Sequence, residues 1–265
     1  MASALSPSVV VRIVSRLRLL LLSVPVVIAV LVLRVILREV FDIGEVATFA
    51  EIGSVITGVT LILGFMLGGV LADYKESEKL PAVVAVALTS FYTTCSSGLA
   101  LKEIDARSFR QRISEVGIAI NSWCVGRISD EELWKRHSDL ALLIVDAEKS
   151  GVATHYLSRL MVLNGELTGV LNRIAVIRNT SFVQSGYVLM SFLVLVLQVS
   201  LAVVSFPSTI MSWIAPSVLS LAYAYLLLLV KDLDNPFGHG TNDGRGSGAD
   251  VDISPISIAV QNMIQ

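Results

Sequence analysis

Asp73, Lys75, Glu76, Glu78 and Lys79 form a dense charged knot at the end of the apolar run 49–71, just before Leu80 and Pro81. Three carboxylates so close together are a set that could hold a metal ion or exchange protons. The two lysines among them favour a plainer chemistry, a solvated and mutually compensated helix face where a chain leaves a membrane. His137, His155 and His239 are isolated in the sequence. There is no His-Glu-x-x-His, no phosphate-cradling Gly-x-x-x-x-Gly-Lys and no Gly-x-Ser-x-Gly. Enzyme chemistry is therefore not expected. Cys95 and Cys124 have no metal-ligand partners at useful spacing and read as reduced, buried, small apolar residues. No cofactor is expected from these residues.

Lipid is the solvent that the composition fits. Apolar residues make up 54% of the 265 residues and charged residues 16%, against roughly 25% charged in soluble domains, and the mean hydropathy is +0.74. The formal net charge is −2, with Lys and Arg scattered, so nucleic acid is not an expected partner. Crossing a hydrocarbon core takes about 20 apolar residues. The runs 19–37, 49–71, 183–206 and 210–230 meet that length. The first follows Arg12, Arg16 and Arg18 as a signal peptide would, but it lacks a small-residue cleavage site and ends in Arg34 and Arg38, so an uncleaved helix is expected. The last two are uncharged and form a hairpin around Pro207 and Ser208. Arg12, Arg16, Arg18, Lys75, Lys79, Arg173, Arg178 and Lys231 then share one face, which the positive-inside rule makes cytoplasmic together with both termini.

Residues 80–101 are also uncharged and long enough for a fifth span. Thr89, Ser90, Thr93, Thr94, Ser96 and Ser97 crowd their second half, however, and Pro81 suits the first turn of a fresh helix. A buried soluble helix is the better reading. In 102–180, Ser129-Asp-Glu-Glu marks a helix start, with Ser129 as cap and Glu132 three residues on. Leu133, Leu140, Ile144 and Val145 recur at helical spacing, as do Leu157, Leu160, Met161, Leu163, Leu167, Val170, Leu171 and Ile174. Gly238, Gly240, Gly244, Gly246 and Gly248 give the tail the chemistry of an irregular loop. The expected fold is all-α, a polytopic membrane protein with four transmembrane helices and a helical cytoplasmic domain. Its parts are a cytoplasmic N-terminus (1–18), transmembrane helices (19–72), the helical domain (73–181), two further transmembrane helices (182–230) and a flexible cytoplasmic tail (231–265).

The order Leu63-Gly64-Phe65, then small and apolar residues, an aromatic and Glu78-x-Leu80-Pro81 resembles the second transmembrane helix of the bestrophin family of pentameric ion channels. Asn235-Pro236-Phe237-Gly238, just after the last span, resembles that family's Asn-Pro-Phe-Gly. The resemblance implies a homopentamer conducting ions passively, anions such as chloride in many members, through a pore lined by the second helix. It places Leu61 and Phe65 at the apolar neck, with Thr57 one turn earlier where the family usually has another apolar residue. Asp73, further along on roughly the same face, would add negative charge at the pore exit and favour cations. A cation channel of the same architecture and a non-conducting scaffold that binds a cytoplasmic partner are the alternatives. The family carries consecutive acidic residues after its Asn-Pro-Phe-Gly that help to bind calcium. Here His239, Gly240, Thr241 and Asn242 follow instead, with Asp243, Asp250 and Asp252 only later; calcium is the one cofactor the resemblance leaves open, and calcium gating is not expected from carboxylates so dispersed. Arg34, Arg38, Glu39, Asp42 and Glu45 are expected at a subunit interface or the outer mouth, because charge in lipid is costly.

Overall fold

The computed structural model of the protein describes residues 7–41, 47–179, 184–234, 236–237 and 249–265. In chain order the elements are α1 (Pro7–Glu39), β1 (Ala47–Thr48), α2 (Phe49–Ser77), α3 (Leu80–Ala100), α4 (Arg107–Cys124), α5 (Asp130–Lys149), α6 (Thr154–Asn179), α7 (Gln184–Val203), β2 (Val204–Ser205), α8 (Met211–Leu233) and α9 (Ser254–Ile264). The chain divides into two compact units, Met1–Ala72 with Ser181–Asp234, and Asp73–Thr180 with Asn235–Gln265.

In the first unit α1 packs against α8 and α7, and α7 against α8. Met190, Val194, Leu197 and Leu201 of α7 recur every three or four residues and are buried, while Leu189, Phe192, Leu195 and Val199 of the same helix are exposed. A helix that is apolar on both faces belongs in lipid, where its outer side meets hydrocarbon. Some polar side chains find partners inside this unit. Gln198 Nε2 donates to the Ser220 carbonyl at 3.2 Å, and the Thr60 and Tyr223 hydroxyls bond to each other.

Arg34 departs from expectation. Its side chain does not lie at the mouth of this unit but inside it, 1% exposed, with Nη1 donating to the carbonyls of Leu201 at 3.0 Å and Ala202 at 3.4 Å. The physical reason is the end of α7, whose last carbonyls lack partners within the helix and carry partial negative charge. Asp42 and Glu45 lie outside the described residues. The span expected at 183–206 has its first residue, Val183, outside them too. It ends early because Val204 and Ser205 leave the helix to pair in parallel with Ala47 and Thr48.

The second unit buries a continuous apolar core. α3 packs on α6 and α9, and α4 on α5 and α9. Leu80, Val84, Leu88, Phe91, Cys95 and Leu99 face this core from α3. Its hydroxyl residues lie elsewhere on the helix, exposed or half-buried. Pro81 stands in the first turn, and Ser129 caps α5 by accepting from the Glu132 amide, both as expected. Among the described residues, five segments are long and apolar enough to cross a membrane: Leu17–Glu39, Phe49–Ala100, Thr154–Asn179, Ser185–Val203 and Met211–Leu233. Those criteria take in α3 and α6, whose apolar faces fill the core of this unit.

The tail needs a correction. Residues 231–265 were expected to be flexible throughout, yet α9 is a docked helix with Ile256, Ala259, Val260 and Met263 buried. The cause is a short apolar stripe at helical spacing, which lies beyond the glycine-rich stretch. At Gly117 of α4, a Cβ would stand 2.4 Å from Val260 Cγ2, so only glycine admits α9 so closely. Gly117→Ala is expected to cost about 1–3 kcal/mol by overpacking. Limited proteolysis and thermal unfolding check this, the C-terminal segment becoming the first to be cleaved. Unchanged protection would show that α4 and α9 yield freely at this contact.

Candidate functional site

α2 is the element on which the site residues converge. It contains no proline, and it starts in a Thr48-x-x-Glu51 capping box, the Glu51 carboxylate accepting from the Thr48 amide at 2.6 Å and hydroxyl at 3.0 Å. Ile52, Val59, Leu63, Met66 and Val70 lie on one stripe and are buried. The opposite stripe carries the expected neck residues. Leu61 is 58% and Phe65 73% exposed, and Thr57 is exposed as well. With a turn of 3.6 residues, steps of four drift by about 40°, so the three share one face within about 80°. Thr57 donates its hydroxyl to the Gly53 carbonyl of its own helix at 2.9 Å, which turns a polar residue into a nearly apolar one. Gly58, Gly64 and Gly68 run beside this face, and a Cβ at any of them would meet nothing within 4 Å. The chain thus leaves large apolar side chains uncovered on one side of α2.

Asp73 stands apart from that face. Eight residues beyond Phe65, it has turned about 80° around the helix. Its neighbours are charged. Arg173 of α6 forms a two-pronged bond with Glu76, Nε meeting Oε1 at 2.7 Å and Nη2 meeting Oε2, and Nη2 lies 3.9 Å from Asp73 Oδ1. Lys75 pairs with Glu78 at 2.7 Å. The bonds from Arg173 hold the Glu76 carboxyl below the usual carboxylate range. The fork is therefore complete at neutral pH and is lost only as pH falls through that lowered value.

The described half of the post-span motif is an anchor. The Pro236 carbonyl accepts from the Val251 amide at 2.9 Å, and Phe237 is 2% exposed within the core of the second unit. Asn235 and Gly238 lie outside the described residues. His137 is buried, with the Thr168 hydroxyl 3.3 Å from Nε2, and burial lowers its pKa. It is a packing residue. Cys95 and Cys124 are free and buried, with thiols pushed up by burial to about 11 and about 12. Among the described residues no group of His, Cys, Asp and Glu could hold a metal ion. A further polar knot went unforeseen. Asp130 accepts from Trp123 Nε1 at 2.7 Å and Asn179 Nδ2 at 3.1 Å, and Arg178 donates to the Trp123 carbonyl at 2.8 Å. Hydrogen bonds, Trp123's foremost, keep Asp130 below the ordinary aspartate range. The knot ties the start of α5 to the ends of α4 and α6.

No protein-family model and no curated protein matches the sequence. Solved structures do match the fold. The crystal structure of a bacterial bestrophin homologue from Klebsiella pneumoniae superposes with a TM-score of 0.66 at 15% identity, covering 94% of this chain and 97% of that one. A single-substitution variant of that homologue gives 0.70 at 14% identity with the same coverage. A crystal structure described as a membrane protein gives 0.69, also at 14%. The chain is an all-α protein with long apolar helices, and its fold is that of the bestrophins.

Proposed function

We propose that this chain is one subunit of a homo-oligomeric ion channel, a pentamer, in which α2 of every subunit lines a passive pathway for anions such as chloride. The observation that carries the reading is the uncovered face of α2, where Leu61 and Phe65 are 58% and 73% exposed opposite a fully packed stripe. The bestrophin fold supports it. One helix encloses nothing, so a neck made from this face requires several copies around an axis. An apolar ring of that kind conducts when it wets, and charged groups at its ends set the preferred sign. At the far end of α2 the carboxylates Asp73, Glu76 and Glu78 stand with Lys75, Lys79 and Arg173. Three acids against three bases leave no net negative charge there, which favours the anion reading over the cation one.

Planar bilayers containing the purified protein test this directly. In a potassium chloride gradient the current is expected to reverse toward the chloride equilibrium potential, and micromolar calcium is expected to leave it unchanged. Reversal toward potassium would make it a cation channel. Absence of current would leave a membrane scaffold.

The same reading carries four spans with both termini in the cytoplasm. Single cysteines at Ser208 and at Ser129, in a background without Cys95 and Cys124, are expected to label from opposite sides of intact cells. Labelling of both from outside would overturn the topology.

A further inference from the structure

We propose that Arg34 is a positioning residue for the N-terminal end of the pore helix: by tying down the last turn of α7 it holds the two-residue β bridge from which α2 starts. The proposal rests on the channel reading of α2. Arg34 lies on α1, 1% exposed, and its Nη1 donates to the carbonyls of Leu201 and Ala202, two residues and one residue before α7 ends at Val203. A guanidinium suits this place because it gives donors to carbonyls that the helix leaves unpaired and a positive charge to the negative end of the helix dipole. A charge kept inside a lipid-facing bundle is costly, and costs of that kind attend residues with a task.

The next residues show what depends on it. Immediately after α7, Val204 and Ser205 pair with Ala47 and Thr48 in parallel register, and the Ser205 hydroxyl donates to the Ala47 carbonyl at 3.4 Å. Phe49, the first residue of α2, packs its ring 5.5 Å from that of Phe206. The Arg34 guanidinium sits 5.6 Å from the centre of the same Phe206 ring. Two residues a side make too short a ladder to be stable alone, since even a full two-stranded hairpin is marginal in isolation. The bridge needs an anchor. Arg34 provides one from two directions, through the α7 carbonyls on one side of β2 and through Phe206 on the other. The start of α2, and with it the face that carries Thr57, Leu61 and Phe65, is thereby set laterally by a residue that does not touch the pathway.

The test traps the bridge in the full-length protein. Ala47→Cys with Val204→Cys places two thiols at paired positions, and their oxidation rate reports how well the bridge is held. Arg34→Lys keeps a charge and donors, whereas Arg34→Met keeps length and apolar packing and loses both. Trapping at nearly the parent rate is expected for the Lys variant, and about fivefold slower for the Met variant, the scale of one or two lost hydrogen bonds. The Met variant is also expected to differ from the parent in unit conductance while still assembling. If it does not assemble, Arg34→Gln carries the test, since it keeps a donor without the charge, and slower trapping is again expected. Parent-like trapping and conductance in the Met or Gln variant would overturn the proposal, as would a Lys variant impaired as much as Met. Trapping is measured whether or not the protein conducts. A parent without current therefore defeats the channel reading alone, and a conducting parent with an indifferent Arg34 defeats this inference alone.

Discussion

Phe65→Ala is expected to raise the unit conductance of the reconstituted protein several-fold, and Leu61→Ala to do so to a smaller degree. Both side chains are uncovered within the chain, Phe65 the more so, and in a ring each substitution removes one large apolar group per subunit from the same narrow level. A wider and less apolar constriction wets more readily, so the barrier to ions falls. The stability cost is expected to be small, because a side chain that is 73% exposed has little packing to lose. Leu63 supplies the contrast. It is two residues from Phe65 but 2% exposed, so Leu63→Ala opens a cavity, with a cost of about 2–5 kcal/mol by analogy with soluble cores. Single-channel recording and thermal unfolding of the three variants separate the two roles. Poor folding of Phe65→Ala with unaltered conductance would mean that this face packs against something other than the pathway.

Much of this arrangement was legible in the sequence because it rests on local rules. Ser129 and Pro81 mark helix starts by the hydrogen-bonding and ring constraints of the first turn, and both stand where those constraints put them. The apolar stripes of the second unit were legible to within a register. On α5 the buried residues are Leu133, His137, Leu140, Leu143, Ile144 and Ala147, while Val145 is 44% exposed. Apolar character had drawn Val145 in, yet steps of three and four from Leu133 pass through His137. Arg34 shows a limit of a different kind. Costs of charge in lipid dictate that it be shielded, but nothing within α1 says that the shield is the end of α7, some 167 residues further on. The Arg173 fork to Glu76 is equally nonlocal, spanning 97 residues. α9 was missed for a simpler reason. The glycines at 238–248 give the tail the composition of a loop, and the short stripe Ile256, Ala259, Val260 and Met263 beyond them, at helical spacing, is only about three turns long.

Arg173→Gln is expected to move the reversal potential toward potassium, with the anion-to-cation permeability ratio falling by about threefold or more. The expectation follows from the charge balance at the cytoplasmic end proposed for α2. Removing Arg173 leaves Asp73 and Glu76 facing each other without the cation that now bonds one and lies 3.9 Å from the other. One net negative charge is added per subunit, and ions passing within a Debye length of about 8 Å respond to it. Asp73→Asn is expected to shift the potential the opposite way. Arg173→Lys separates charge from geometry, because lysine keeps a point charge but not the fork; reversal close to the parent's is expected, with a weaker hold on Glu76. Acid supplies a further check with a definite sign. In the parent, Arg173 keeps the Glu76 carboxyl below its usual range, so the pair withstands mild acid. In Arg173→Gln that carboxyl returns toward the ordinary range and takes up its proton at a higher pH than in the parent. The added preference for potassium therefore fades on acidification of the variant, at a higher pH than that at which Glu76 loses its charge in the parent. Reversal potentials that stay at the parent value in both Arg173→Gln and Asp73→Asn would remove this cluster from the ion path and return it to the role of a clamp between α2 and α6.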